Sequence, residues 1–154
     1  MPKRSSGVLL FRRKEREIEV LLAHPGGPFW KNKDDGVWSI PKGEYGENED
    51  PLAAAKRELA EETGLTPSGD FIPLGEIRQT GGKVVTAWAV EGNADARSIR
   101  SNTFSMPWPT GSKKLQEFLE IDRAEWFSLE AARRKILKGQ AELLERLAHH
   151  LRTC

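Results

Sequence analysis

The sequence predicts a mixed α and β domain, either α+β or a three-layer α/β/α sandwich around a mixed central sheet. Three observations carry that expectation. Short apolar runs of strand length come in adjacent pairs on both sides of residue 50, a capped helix rich in glutamate lies between the pairs, and leucine and alanine recur at helical spacing near the end of the chain. At 154 residues the chain suits one domain, 1–154, with a substantial core.

Residues 6–11, SGVLLF, read as a strand, and after the charged turn RRKERE the segment IEVLLAH reads as its hairpin partner. His24 then opens a glycine- and aromatic-rich loop, PGGPFWKNKDDG. For His24 an exposed or hydrogen-bonded strand end is expected over a phosphate contact. Phe29 and Trp30 are expected to cover the edge of the core, the alternative being a stack on a base. Residues 37–41, VWSIP, form a further expected strand, ended by Pro41, which cannot donate to a ladder. That strand delivers Lys42 and Gly43. Asp50 can cap a helix in which Pro51 takes the first position, and Gly64 stops it.

After the helix, residues 71–80 and 83–90 pair as strands across a Gly81-Gly82 turn. Residues 91–115 contain Pro107, Pro109 and Gly111 and read as one long polar loop, packed by Phe104, Met106 and Trp108. Glu125, Trp126 and Phe127 read as a short strand ending at Ser128, which caps a helix over 129–151 that Gly139 bends or splits.

The 38% hydrophobic and 31% charged content is that of a soluble globular protein. No apolar run approaches the roughly 20 residues that span a bilayer, and the N-terminal apolar run is too short for a secretory signal. A cytoplasmic location is therefore expected, with no membrane partner. A formal charge of +1 gives no reason to expect a nucleic-acid partner. The sole cysteine, Cys154, is the last residue, which excludes an intrachain disulfide and a cysteine metal cluster.

The chemistry lies in the helix. Glu58, Glu61 and Glu62 stand at i, i+3 and i+4, so three like charges share one face. A solvated acidic face is the plain reading of such a triplet. A hard divalent cation is the functional one, because Mg²⁺ takes oxygen ligands from a few carboxylates together with substrate phosphates.

Taken whole, the stretch GEYGENEDPLAAAKRELAEETGL resembles the signature of the Nudix hydrolase family, the MutT-like pyrophosphohydrolases. Gly43, Glu49, Arg57, Glu58, Leu59, Glu61, Glu62, Gly64 and Leu65 fill its fixed places without departure. The resemblance implies an α/β/α sandwich with a mixed sheet and a Mg²⁺-dependent hydrolysis, Mn²⁺ substituting, of a nucleoside diphosphate linked to another group. A nucleoside triphosphate or a dinucleoside polyphosphate heads that substrate class. It implies metal binding by Glu58, Glu61, Glu62 and the carbonyl of Gly43. Arg57 is expected to clamp carboxylates, since its guanidinium fork can hold two of them in fixed directions. Lys42 and Trp38 are the expected substrate contacts, a solvated Lys42 being the alternative. The general base comes either from the signature glutamates or from a later loop, where Glu117 is preferred to Glu120. A non-catalytic nucleotide-binding module on the same fold is the rival reading, and the intact set of acids argues against it.

Overall fold

The computed structural model describes residues 3–79, 81–99 and 101–152. The first apolar pair forms β1 (Arg4–Lys14) and β2 (Glu17–Pro25), antiparallel as expected. The second pair forms β4 (Ile72–Arg78) and β5 (Val84–Glu91), also antiparallel. Gly81 and Gly82 turn between them at φ 90° and 83°, values that suit glycine. Thr80, the last residue of the expected strand, and Cys154 lie outside the described residues.

The main sheet runs β4-β5-β1-β2 and ends on β8 (Ile121–Ser128), with β3 (Lys42–Glu44) pairing to the start of β1. The β1–β5 pair is parallel and the others are antiparallel, so the sheet is mixed. Alternation along β1 sorts its side chains onto two faces. Leu9 and Phe11 join Val20, Leu22 and the buried Leu143, Leu144 and Leu147 of α3 (Ala141–Arg152) on one side. Val8 and Leu10 join Leu21 and Val90 against Ala55 and Leu59 of α1 (Pro51–Thr63) on the other. Three layers result, which is the α/β/α arrangement.

Two expected elements differ. Residues 37–41 are not a regular strand. β1 pairs with β3 at Ser5, Ser6 and Gly7 but with β2 from Phe11 onward. The segment enters the gap between the diverging strands and makes isolated bonds: the Val8 N–H donates to the Pro41 carbonyl at 3.1 Å, and Ala23 and Ser39 exchange bonds at 2.8 and 3.0 Å. Residues 91–115 are likewise not one loop. β6 (Thr103–Pro107) and β7 (Leu115–Leu119) form a separate antiparallel hairpin. Both strands are short and largely exposed; β6 alternates over only Phe104 and Met106, and β7 shows no alternation, which leaves little signal for a half-buried strand.

The C-terminal helix is split, three residues ahead of Gly139. α2 (Leu129–Lys135) is capped by the Ser128 hydroxyl, which accepts from the Ala131 N–H at 3.1 Å. It stops at Ile136, which turns extended at φ −73° and ψ 149° and bridges to Trp38. Tertiary pairing there outweighs helix propensity.

Gln140, fully buried, ties this break to the site. Its amide nitrogen donates to Ser39 Oγ at 3.0 Å and to Gln79 Oε1 at 3.2 Å, and its Oε1 accepts from the Ile40 N–H at 3.0 Å. Gln140→Leu strands a buried backbone donor and should cost about 1–3 kcal/mol of stability. Urea unfolding measures this, and an unchanged midpoint would show that the three bonds contribute nothing net.

Candidate active site

α1 begins where the Asp50 carboxylate accepts from the Ala53 N–H at 2.9 Å, with Pro51 at its first position. It ends at Gly64, left-handed at φ 79°. Packing Ala55 and Leu59 onto the sheet fixes how the helix is rotated. Glu58 is thereby largely covered, its side chain 13% exposed, while Glu61 stays 44% exposed.

β3 brings Lys42 and Gly43 beneath these acids. The Lys42 backbone N–H donates to Glu62 Oε2 at 3.3 Å. Gly43 lies against the Glu58 carboxyl group so closely that a Cβ there would stand 2.1 Å from its carboxyl carbon. A glycine is required for that approach.

Arg57 spans three acids. Its Nε and Nη2 donate to Glu49 Oε2 at 3.0 and 2.6 Å, and its Nη1 donates to Glu58 Oε1 at 3.1 Å and stands 3.7 Å from Glu61 Oε1. Glu49 is held in turn by the Gly46 N–H at 3.3 Å.

The electrostatics follow from burial and crowding. Burial first, then the neighbouring Glu58, pushes the Glu62 carboxyl up to about 8, with Glu120 adding to the effect and the Lys42 N–H opposing it. Glu58 is also raised, chiefly by burial, while Arg57 draws it back. The Lys42 ammonium is lowered, by burial first and by Lys83 second. The site thus holds carboxylates that resist ionisation unless positive charge is brought to them.

Glu120, between β7 and β8, acts on both Glu58 and Glu62. Glu117, the preferred residue from sequence, faces away on the small hairpin, where it accepts a hydrogen bond from the Thr103 hydroxyl. β6 and β7 form a sheet of their own, and Glu120 lies where the chain leaves that hairpin for β8.

Trp38 is also corrected as a substrate contact. It is 1% exposed, its Nε1 donates to Asp34 at 2.9 Å, and its ring meets His24 and Phe127 edge-on at 5.0 Å each. It is core. Phe29 and Trp30 are the reverse case: expected as a cover for the core edge, they are 57% and 39% exposed.

His24 ends its strand hydrogen-bonded, and fully buried. Nδ1 lies 2.8 Å from Asp122 Oδ1 and Nε2 lies 2.6 Å from the Lys33 carbonyl. Asp122 was not singled out in the sequence, and a lone aspartate at the start of a strand carries no signal that would have found it. Two clefts share Leu119 and Asp122. One, of about 570 Å³, is lined by Ile99, Arg97 and Arg123, and the other, of about 460 Å³, by Trp108 and Phe118.

Among the described residues no three Asp, Glu, His or Cys side chains converge into a ready coordination shell. The donor set nonetheless fits a hard cation. Glu58 and Glu62 are crowded, poorly compensated oxygen donors, and Gly43 has no side chain to fill the space before Glu58.

A glutamate-bearing helix packed on a mixed sheet, with a second helical layer on the other face, defines the class of α/β/α sandwich domains. Residues 1–147 match the NUDIX domain, and the chain belongs to that family. Two partial relatives illustrate the range. An RNA pyrophosphohydrolase of Caulobacter vibrioides is 43% identical over 54 residues, 32% of this chain and 31% of that protein. Nudix hydrolase 7 of Arabidopsis thaliana is 33% identical over 75 residues, 49% of this chain and 24% of that protein. The chain thus spans a third or less of their length. Among solved structures, the NUDIX domain of Shewanella oneidensis NrtR complexed with ADP ribose superposes with TM-score 0.69 at 18% identity, covering 98% of this chain and 89% of that one. A C. elegans Ap4A hydrolase binary complex gives TM-score 0.69 at 22% identity, covering 97% and 99%. These likenesses concern the fold. Among the described residues no helix is long and apolar enough to cross a membrane.

Proposed function

We propose that this chain is a Mg²⁺-dependent pyrophosphohydrolase acting on a nucleoside diphosphate linked to another group, with nucleoside triphosphates and dinucleoside polyphosphates as the leading substrates. The observation that carries the reading is the pair of half-buried carboxylates of Glu58 and Glu62 on one helix face, lying against Gly43 and the Lys42 N–H of β3. The family match and the likeness to the Ap4A hydrolase and RNA pyrophosphohydrolase support it.

Glu58, Glu61, Glu62 and the Gly43 carbonyl would hold the cation. When bound, Mg²⁺ supplies charge neutralisation at phosphate oxygens and acidifies water. Lys42, on the strand beneath, is placed for the diphosphate. In this reading Glu120, whose charge adds to the crowding at Glu58 and Glu62, accepts the proton of the attacking water as its oxygen bonds to phosphorus and the anhydride P–O bond breaks. Glu120→Gln should lower turnover at least about 30-fold and alter the pH profile, whereas Glu117→Gln should change neither. Equal losses in both variants would remove Glu120 from this role.

Arg57 acts as a clamp. Arg57→Lys keeps the charge but loses the fork, so turnover and Mg²⁺ affinity should fall together by about tenfold. An unchanged metal affinity by titration would rule the clamp out.

The decisive experiment is a panel of nucleoside triphosphates, dinucleoside polyphosphates, ADP-ribose and nucleotide sugars, with and without Mg²⁺, followed by product analysis. Metal-dependent release of a nucleotide supports the reading. Tight nucleotide binding without turnover would make the chain a binding module instead.

A further inference from the structure

The four large hydrophobic side chains most exposed among the described residues all lie in one region: Phe29 and Trp30 in the loop after β2, Leu115 and Leu119 on the β6–β7 hairpin. Between that loop and the hairpin is the cleft of about 460 Å³, a volume in the range of small-ligand sites. Its lining combines the aromatic rings of Trp108 and Phe118 with two charged side chains, Lys31 and Asp122. Gly27, at φ 97°, contributes bare backbone to the wall, and a Cβ there would stand 2.9 Å from the Phe104 ring. The Trp108 ring is braced edge-on by Phe29 at 5.5 Å and 84°. The backbones of the two sides are also joined, since the Gly26 N–H donates to the Glu120 carbonyl at 2.9 Å.

We infer that this cleft receives the base of the nucleotide, and that the base accepted is one whose edge carries an amino group. Aromatic rings in a cleft offer planar faces on which a base stacks. Asp122 supplies the selection. One of its oxygens is engaged by the buried His24, which fixes the carboxylate, and its side chain is still 30% exposed. An ionised carboxylate only accepts hydrogen bonds, so it pairs with the amino group of adenine, guanine or cytosine. Uracil presents its N–H between two carbonyl oxygens, which the carboxylate repels. Lys31 adds a positive charge to the lining, suited to the sugar-phosphate side of the ligand. Leu119 and Asp122 lie within two residues of Glu120, whose charge acts on Glu58 and Glu62 of α1.

The proposal rests on the nucleotide pyrophosphohydrolase reading for the identity of the ligand, and its test is read without turnover. Binding of AMP, GMP, CMP and UMP to the whole chain is measured by ligand-observed NMR in EDTA. The amino-bearing monophosphates should bind at least about tenfold more tightly than UMP. Trp108→Ala should weaken binding by about fivefold or more, and Asp122→Asn should erase the discrimination. Leu115→Ala, on the same hairpin but outside the cleft lining, should leave binding unchanged and so controls for loss of the hairpin. Equal affinity for UMP, or unaltered binding by Trp108→Ala, overturns the inference. So does a Trp108→Ala variant that changes only the oligomeric state, which would mark the patch as a protein contact. The expected binding pattern with no hydrolysis on the substrate panel would overturn the enzyme reading and leave this one standing; hydrolysis indifferent to the base would do the reverse.

Discussion

Replacing Glu62 with Gln is expected to lower turnover at least about 100-fold while leaving the fold intact, because the change keeps the side-chain size and removes one of two buried charges proposed to hold the cation. The same substitution has a second, independent signature in metal-free protein. Glu62 is pushed up to about 8 in the folded chain, against an ordinary value of 4.5. A raised folded value means that the group's contribution to stability is fully present below 4.5 and is lost as the pH climbs through about 8. Wild-type protein in EDTA should therefore be less stable at pH 9 than at pH 6 on account of this group, and Glu62→Gln should reduce that difference. Mg²⁺ competes with the proton for the same carboxylate, so its affinity should rise between pH 6 and pH 8 in the wild type and more weakly in the variant. Urea unfolding and metal titration at those pH values read both effects. A variant with near-normal turnover and wild-type pH dependence would remove Glu62 from the site.

Gly43→Ala should be nearly as damaging to activity, for a steric reason. The added methyl carbon would stand 2.1 Å from the Glu58 carboxyl carbon, so one of the two has to move. Gly43 is paired with Ser6 in the β1–β3 ladder, whereas Glu58 ends in a flexible carboxylate. Glu58 should therefore swing away. Stability then changes little, but a proposed metal ligand is displaced by an ångström or more, which is enough to cost about 100-fold in rate. Gly46→Ala, three residues on, is the control, since nothing lies within 4 Å of a Cβ built there. If Gly43→Ala and Gly46→Ala keep equal activity, the close approach of β3 to Glu58 has no functional weight.

Both expectations draw on residues legible in the sequence, because local rules place them. The cap at Asp50, the stop at Gly64 and the i, i+3, i+4 spacing of the three acids are properties of one continuous helix, and no distant contact is needed to state them. The strand pairs 4–25 and 72–91 were legible for the same reason: their partners are neighbours in the chain and their buried faces alternate.

Distance along the chain marks the boundary of what composition and spacing can say. The choice of Glu120 over Glu117 depends on where the β6–β7 hairpin leaves the sheet, and that pairing joins two exposed strands with weak apolar patterns. Trp38 looked available beside Lys42 and proved to be core, because the gap between β1 and β2 into which it folds exists only once β1 has changed partners. The helix 129–151 broke at Ile136 under a bridge to a residue almost a hundred positions earlier.

The sequence by itself therefore determined a mixed α and β domain and a capped acidic helix, since each follows from short-range periodicity, capping and charge; the three-layer α/β/α arrangement was one of two that it left open, and the family resemblance implied it. The tertiary structure alone decided which aromatic side chains are buried and which stay exposed, and that His24 pairs with Asp122. Those depend on the order of strands in the sheet, where residues far apart in the chain meet to bury apolar surface and no local pattern records the meeting.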